Sequence, residues 1–481
     1  MLFNSLAFAI FLPIVFILYY LVPHKYRWAF LLIASYVFYM NLHAGYGLLL
    51  FFTTVLTYLL AKKLDKTPVS GRRKLCLWGG VLPLALILLV YKTANPLIGR
   101  LNEMISAGRL SLQPLTISLL LPAGVSFYFF QSMGYLIDVY RGKIKAERHF
   151  GYYALFVSFF PQLLAGPIGR ADSLLPQYKK KRPFVYAGVT YGLKLMVWGY
   201  FKKLVIADVF ALTINRIYDN AQTYVGLVFI VATLMFAVEI YCDFSGYSDI
   251  AIGCAKLFGI DLMTNFKSPY FSFSIREFWS RWHISLSTWF RDYVYIPLGG
   301  NRVPKWRHCL NLLITFLVSG FWHGSSLTYI LWGGMHGVLQ ILETLIFPKK
   351  RKGVEIRRRR HWWQLPVTFL LLCVTWIFFR ANSIQDAIWI LSRLFWDIER
   401  PLNYLQTGIT CLELSPIALM GMGLSVLVLA LYDLASLKSD VIAAFSKQKF
   451  FIRWPVYVLF LVLIALFAPK GVATEFIYFQ F

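Results

Sequence analysis

The sequence predicts an all-α polytopic transmembrane bundle of about 11 to 13 spans, with added re-entrant or interfacial helices, and three observations carry that prediction. First, 58% of the 481 residues are apolar and 18% aromatic, while only 15% are charged. A soluble domain uses about 25% charged residues to cover its surface, so this chain has too few for even one. Second, the apolar residues come in runs rather than in alternation, as in Leu6 to Val22, Tyr224 to Val238, Leu365 to Phe379, Ile417 to Leu431 and Trp454 to Ala468. Each is about long enough, with its flanks, to cross a hydrocarbon core of roughly 30 Å. Third, the net charge of +26 is concentrated between such runs.

Those charges orient the chain. One cluster holds Lys62, Lys63, Lys66, Arg72, Arg73 and Lys74, a second runs from Lys179 to Arg182, and a third joins Lys349 to Lys352 with Arg357 to Arg360. Loops rich in lysine and arginine stay on the cytoplasmic side, where they meet anionic lipid. Nucleic acid is excluded as a partner because no polar domain exists to carry a groove reader.

Starting outside, Leu6 to Val22 enters as a retained first span: no basic segment precedes it and no small-residue cleavage site comes after it. Runs near 26–41 and 44–61 form a hairpin that returns to the first cluster. The run near 77–91 leads out, and 115–140 leads back to Arg141, Lys143, Lys145 and Arg148. Beyond the second cluster the runs are 185–206, 224–240, 308–322, 326–346, 365–379, 417–434 and 455–468, which puts the tail Pro469 to Phe481 outside. The expected divisions are 1–110, 111–348, 349–468 and the tail 469–481.

Two stretches resist being simple spans. Residues 151–178 carry three prolines, and 241–300 mix aromatics with Asp243, Asp249, Asp261, Arg276, Glu277, Arg281, Arg291 and Asp292. Irregular or charged backbone at membrane depth survives only inside protein or beside water, so both are expected to be re-entrant or interfacial and to line a chamber. Asp243, Arg281 and Asp292 are its candidate wall residues. The six cysteines lack paired spacing and read as small buried hydrophobes, and no histidine pattern fits a metal site. No nucleotide-binding loop is present, and no cofactor is expected.

Three of the eight histidines fall near the polar aromatic region: His283, His323 and His336. An ionisable side chain at membrane depth is costly and marks a functional site. Gly320, Gly324, Ser325 and Ser326 surround His323 with a thin, polar break through which a thioester can approach. On one unbroken helix, His336 would stand about 220° around and roughly 19 Å along from His323, away from any shared reaction centre. Gly333, Gly334 and Gly337 beside it suggest a packing face. Glu277 with Arg281, and Trp279 with His283, are each four apart, which puts an ion pair on one helical face and the imidazole on another. One neutral imidazole suffices as general base for acyl transfer from a thioester, because a thiolate leaves readily. A second can orient the acyl carbonyl or hold the first in its useful tautomer.

Six segments in order then resemble the membrane-bound O-acyltransferase family, in particular its bacterial alginate O-acetylation and teichoic-acid D-alanylation branch. They are Leu121 to Gly142, Phe159 to Arg170, Tyr241 to Gly253, Asn265 to Tyr270, Glu277 to Arg302 and Ser319 to Gly324. The resemblance places the family's catalytic histidine on His323 and its second histidine or asparagine position on His283. It implies a funnel through the membrane, with a cytoplasmic thioester, acetyl-CoA or an acyl carrier protein, on one side and an acceptor hydroxyl on the other.

The ending FIYFQF, Phe476 to Phe481, is similar to the F-x-Y-x-x-F ending of a small membrane peptide that accompanies the D-alanylation enzyme, which makes Tyr478 a candidate acyl relay. The expected function is O-acylation, chiefly acetylation, of an exported polysaccharide by a multi-pass protein of a bacterial cell membrane. Membrane lipids, an extracytoplasmic transferase and a cytoplasmic acyl carrier protein are its expected partners. The alternatives are D-alanyl transfer to teichoic acid, and a polysaccharide or lipid transporter with a polar chamber.

Overall fold

The computed structural model describes residues 1–107, 113, 115–116, 119, 122–347, 361–467 and 476. The third basic cluster and Tyr478 lie outside the described residues. Among the described residues every regular element is a helix. Five are long and apolar enough to cross a membrane: Tyr46–Lys66, Ser70–Ser106, Leu227–Leu257, Pro416–Ser436 and Phe450–Phe467. Leu6–Leu21 and Gln364–Arg380 are shorter apolar helices. Phe450–Phe467 buries none of its residues and exposes Phe450, Phe451, Leu459 and Leu466, which suits a helix wrapped by lipid.

The chain forms two compact units. The first comprises Met1–Gly192 with Cys254–Met263, the second Leu193–Gly253 with Thr264–Phe481. In the first, the helix Val125–Tyr140 lies within the run expected from 115 to 140. Gly124 ends the preceding segment at φ +76°, where a Cβ would lie 2.4 Å from the Leu163 carbonyl oxygen, so only glycine fits. Residues 151–178 break into three short helices, Phe150–Ser158, Phe160–Leu163 and Ala171–Lys179. Their irregular backbone is satisfied from within: the Phe156 carbonyl, for instance, accepts from the amides of both Gln131 and Gln162.

The helix Leu227–Leu257 corrects one expectation. Residues 241–257 do not leave the membrane helix as a re-entrant piece. They continue it to Leu257, giving 31 residues and a length of about 46 Å. Two of the acids that suggested a break, Asp243 and Asp249, stay on the helix and are neutralised by lysines from another element. Lys203 Nζ lies 2.5 Å from Asp243 and 2.8 Å from Asp208, and Lys202 Nζ lies 2.7 Å from Asp249. Both lysines sit on a π-helical turn, Phe201–Ala207, where the wider winding turns two consecutive side chains inward. Glycines permit this approach, since a Cβ on Gly199 would meet the Gly246 carbonyl oxygen at 2.6 Å. The expected irregularity does hold further along the chain. Between 264 and 300 the backbone makes only short turns of helix, among them Ile275–Arg281, Ile284–Phe290 and the π-helical Arg291–Tyr295.

Lys305–His323 and Leu327–Ile346 then form a hairpin, so His323 and His336 do not share one unbroken helix. Ser326 starts the second arm by accepting from the Thr328 N–H. Glycines set the closeness of the two arms. A Cβ on Gly320 would lie 2.4 Å from the Tyr329 carbonyl oxygen, and one on Gly333 2.3 Å from that of Phe316.

Candidate active site

The hairpin places His323 in the last turn of its first arm, buried in an aromatic wall. Its ring centroid is 4.6 Å from that of Trp322, 4.9 Å from Trp332 and 5.4 Å from Phe379. The glycines flanking it hold helices together rather than opening a gap: Gly324, like Gly320, is filled by Tyr329, whose ring would lie 2.3 Å from an added Cβ. That replaces the thin break expected there.

His283 also belongs to the second unit, but not to the helix that carries Trp279. Ile275–Arg281 ends two residues earlier, and His283 opens Ile284–Phe290 with φ at +42°, a left-handed conformation uncommon for any residue with a Cβ. Backbone pairing fixes it there: Ile284 N–H donates to the Asn265 carbonyl at 2.9 Å, and Lys267 N–H to that of Arg281 at 3.0 Å. Strain of this kind collects at functional sites. The imidazole packs on Phe244 at 4.4 Å and on Trp322 at 6.3 Å. Trp322 is therefore shared by both histidines. Asn265 Oδ1 lies 3.1 Å from His283 Nδ1.

His336 is held differently. Trp279 Nε1–H donates to its Nδ1 at 3.2 Å, and because an indole only donates, the ring hydrogen sits on Nε2, which donates to Thr375 Oγ1 at 3.1 Å. Thr375 passes its own hydrogen to the Leu372 carbonyl at 2.7 Å. Both ring nitrogens are thus engaged in a closed chain that ties three helices together. Trp332 packs between this ring and that of His323, 4.9 Å from each.

The charged candidates are each paired. Arg281 meets Glu277 at 2.7 Å, Asp292 meets Arg291 at 2.9 Å, and Asp243 meets Lys203. Residues that the sequence did not single out complete the picture: Asn265, Phe244, Trp322, Trp332 and the two π-turn lysines. Asn265 stands inside the NFKSPY segment, but 18 positions before His283 no local spacing joins them.

The remaining piece comes from the tail. Phe476, the one described residue there, is buried with its ring 4.9 Å from Tyr247 and 5.4 Å from Phe244. Phe244 is the ring that packs on His283.

Two buried histidines thus share one tryptophan at the end of a glycine-packed helical hairpin. Residues 144–385, which contain both, match the model of the membrane-bound O-acyltransferase family. The chain belongs to that family: it is an integral-membrane acyltransferase. It is 37% identical to a protein of Pseudomonas aeruginosa named "Probable alginate O-acetylase", over 88% of this chain and 82% of that one. It is 34% identical to the peptidoglycan O-acetyltransferase of Helicobacter pylori, over 75% and 72% of the two chains. A teichoic acid D-alanyltransferase of Streptococcus thermophilus is 32% identical, over 49% of this chain and 60% of that one.

Proposed function

We propose that the protein O-acetylates an exported polysaccharide from a cytoplasmic thioester, acetyl-CoA or an acetylated acyl carrier protein, in a bacterial cell membrane. The names of the bacterial relatives support the acceptor class, and the seat of Phe476 carries the route. Tyr478 follows Phe476 by two residues, a chain reach of about 7 Å at most, and the burial of Phe476 supports a role for the tail at the site. Tyr478 is then the first acceptor. Its hydroxyl oxygen attacks the thioester carbonyl while His323 takes the phenolic proton. The tetrahedral intermediate collapses with cleavage of the C–S bond, and the departing thiolate takes the proton back from the imidazolium. The products are an acetyl-tyrosine ester and a free thiol.

His323 is the general base, the role its residue type and setting suggest from the sequence. His283, sharing Trp322 with it, is the second imidazole of the same centre. An extracytoplasmic transferase then passes the acetyl group to a polysaccharide hydroxyl and restores the tyrosine. Tyr478→Phe keeps the aromatic ring and removes the nucleophile. It is expected to bring polymer O-acetylation in cells to background; O-acetyl content equal to wild type removes the relay from the scheme.

A further inference from the structure

We infer that the indole N–H of Trp332 is the donor that holds the acyl carbonyl oxygen of the thioester as negative charge gathers there. The inference rests on His323 being the base of the proposed reaction, and it adds the group that meets the oxygen while the base takes the proton. Trp332 sits on the second arm of the hairpin and is only 1% exposed. Its Nε1 is buried and meets no hydrogen-bond acceptor among the described residues. A buried indole N–H ordinarily finds a partner, and leaving one unmet is costly.

The rings packed on Trp332 offer it no acceptor. His336 is 4.9 Å away, but its Nδ1 already accepts from Trp279 and its Nε2 carries the hydrogen given to Thr375. Trp376 lies nearly parallel at 5.9 Å and Phe379 stands at 5.1 Å, and neither side chain can accept. A water would need two or more polar partners, which these rings do not supply. His323 is the remaining neighbour, 4.9 Å away with its ring nearly perpendicular, and it keeps its lone pair for the acceptor proton. A thioester whose acceptor lies at His323 therefore has its carbonyl beside Trp332. The same rings hold the indole still, and the next residue, Gly333, packs against the Phe316 carbonyl of the other arm. A donor fixed before the reaction costs no reorganisation as charge develops.

In the step itself the acceptor oxygen bonds to the carbonyl carbon, the carbonyl π pair moves onto its oxygen, and His323 takes the acceptor proton. Trp332 keeps its hydrogen and shares it with that oxygen. The pair then returns, the C–S bond breaks, and the departing thiolate takes the proton from the imidazolium. The indole bond is strongest at the tetrahedral stage, so it acts on turnover more than on binding.

The test uses full-length protein in lipid nanodiscs in which Trp332 is replaced by β-benzothienylalanine, which keeps the bicyclic shape and puts sulfur where the N–H was. Thiol release is followed with acetyl-CoA and, separately, with an acetylated acyl carrier protein. The kcat is expected to fall on the order of 10²–10³-fold, the scale of one lost oxyanion donor, with KM and the unfolding midpoint in detergent little changed. A second readout needs no base. An inert ketone with a methylene in place of the thioester sulfur, built on CoA and on the carrier protein's pantetheine arm, is bound with its carbonyl isotope-labelled. Its carbonyl stretch, read by infrared difference spectroscopy, is expected at lower wavenumber with Trp332 than with the isostere. Should the isostere protein not fold, Trp332→Phe is compared in the same two ways.

Turnover within about twofold of wild type, or an unshifted carbonyl stretch, overturns the inference, the N–H then being spent on the face of a neighbouring ring. A loss of stability with turnover per folded molecule unchanged also overturns it and makes Trp332 a packing residue. Thiol release by His323→Ala at the wild-type rate would instead remove the base reading, and the infrared comparison would still decide the role of Trp332.

Discussion

Gly333→Ala tests whether the closeness of the helical hairpin sets the reaction centre. Its Cβ would lie 2.3 Å from the Phe316 carbonyl oxygen, 3.0 Å from Gly320 Cα and 3.1 Å from Gly320 N, all backbone atoms with no flexible side chain to yield. Reaching the 3.0 Å that real Cβ contacts keep requires the helices to part by about 0.7 Å, in an interior packed too densely to absorb it. Overpacking of this size costs about 1–3 kcal/mol. His323 lies three residues beyond Gly320 on the displaced arm, and a shift near 1 Å at a catalytic group lowers a rate by as much as about 10²-fold. Gly334 supplies the control: a Cβ there meets only Leu317 Cδ2, at an ordinary 3.5 Å. Purified Gly333→Ala and Gly334→Ala would be compared for thiol release from acetyl-CoA, with an acetylated acyl carrier protein as second donor, and for resistance to denaturing detergent. Gly334→Ala is expected to stay within about twofold of wild type, on the order of the small effects of uncrowded sites. Equal activity and stability of the two variants would refute the reasoning.

Thr375→Val removes the acceptor for the His336 Nε2–H in a buried site, which should cost about 1–3 kcal/mol of stability and leave turnover per folded molecule unchanged. A tenfold loss of turnover in folded protein would place His336 in the chemistry instead. Lys203→Met strands Asp243 and Asp208 without their shared cation and should cost about 3–5 kcal/mol in the same detergent unfolding assay; an unchanged midpoint would contradict the pairing. Phe476→Ala empties the seat against Phe244 and Tyr247, so acetyl labelling of the tail should fall about tenfold or more, the loss expected where about 3–5 kcal/mol of buried ring is removed. Labelling at the wild-type level would show that the seat does not guide the tail.

The helical class was legible because it rests on run length and charge poverty, which need no tertiary partner. Asp243 and Asp249 misled about where the Leu227–Leu257 helix ends because their neutralising lysines lie some 40 residues earlier, on a π-helical turn that no periodicity announces. The hairpin between His323 and His336 left a trace, since Gly324 and Ser326 are a helix end and a helix start. Both histidines of the site could be chosen from residue type and resemblance. Their shared contact, Trp322, and the buried amide of Asn265 beside His283 could not, because they are contacts between distant segments rather than features of composition.

The most direct test of acyl transfer through the tail is to find the acyl group on it. Purified full-length protein would be incubated with radiolabelled acetyl-CoA and, separately, with labelled acetylated acyl carrier protein, digested, and its peptides read by mass spectrometry. An acetyl ester is expected on Tyr478 from one of these donors, absent in Tyr478→Phe and in His323→Ala. An unlabelled tail in protein that still moves acetyl groups onto polymer would contradict it.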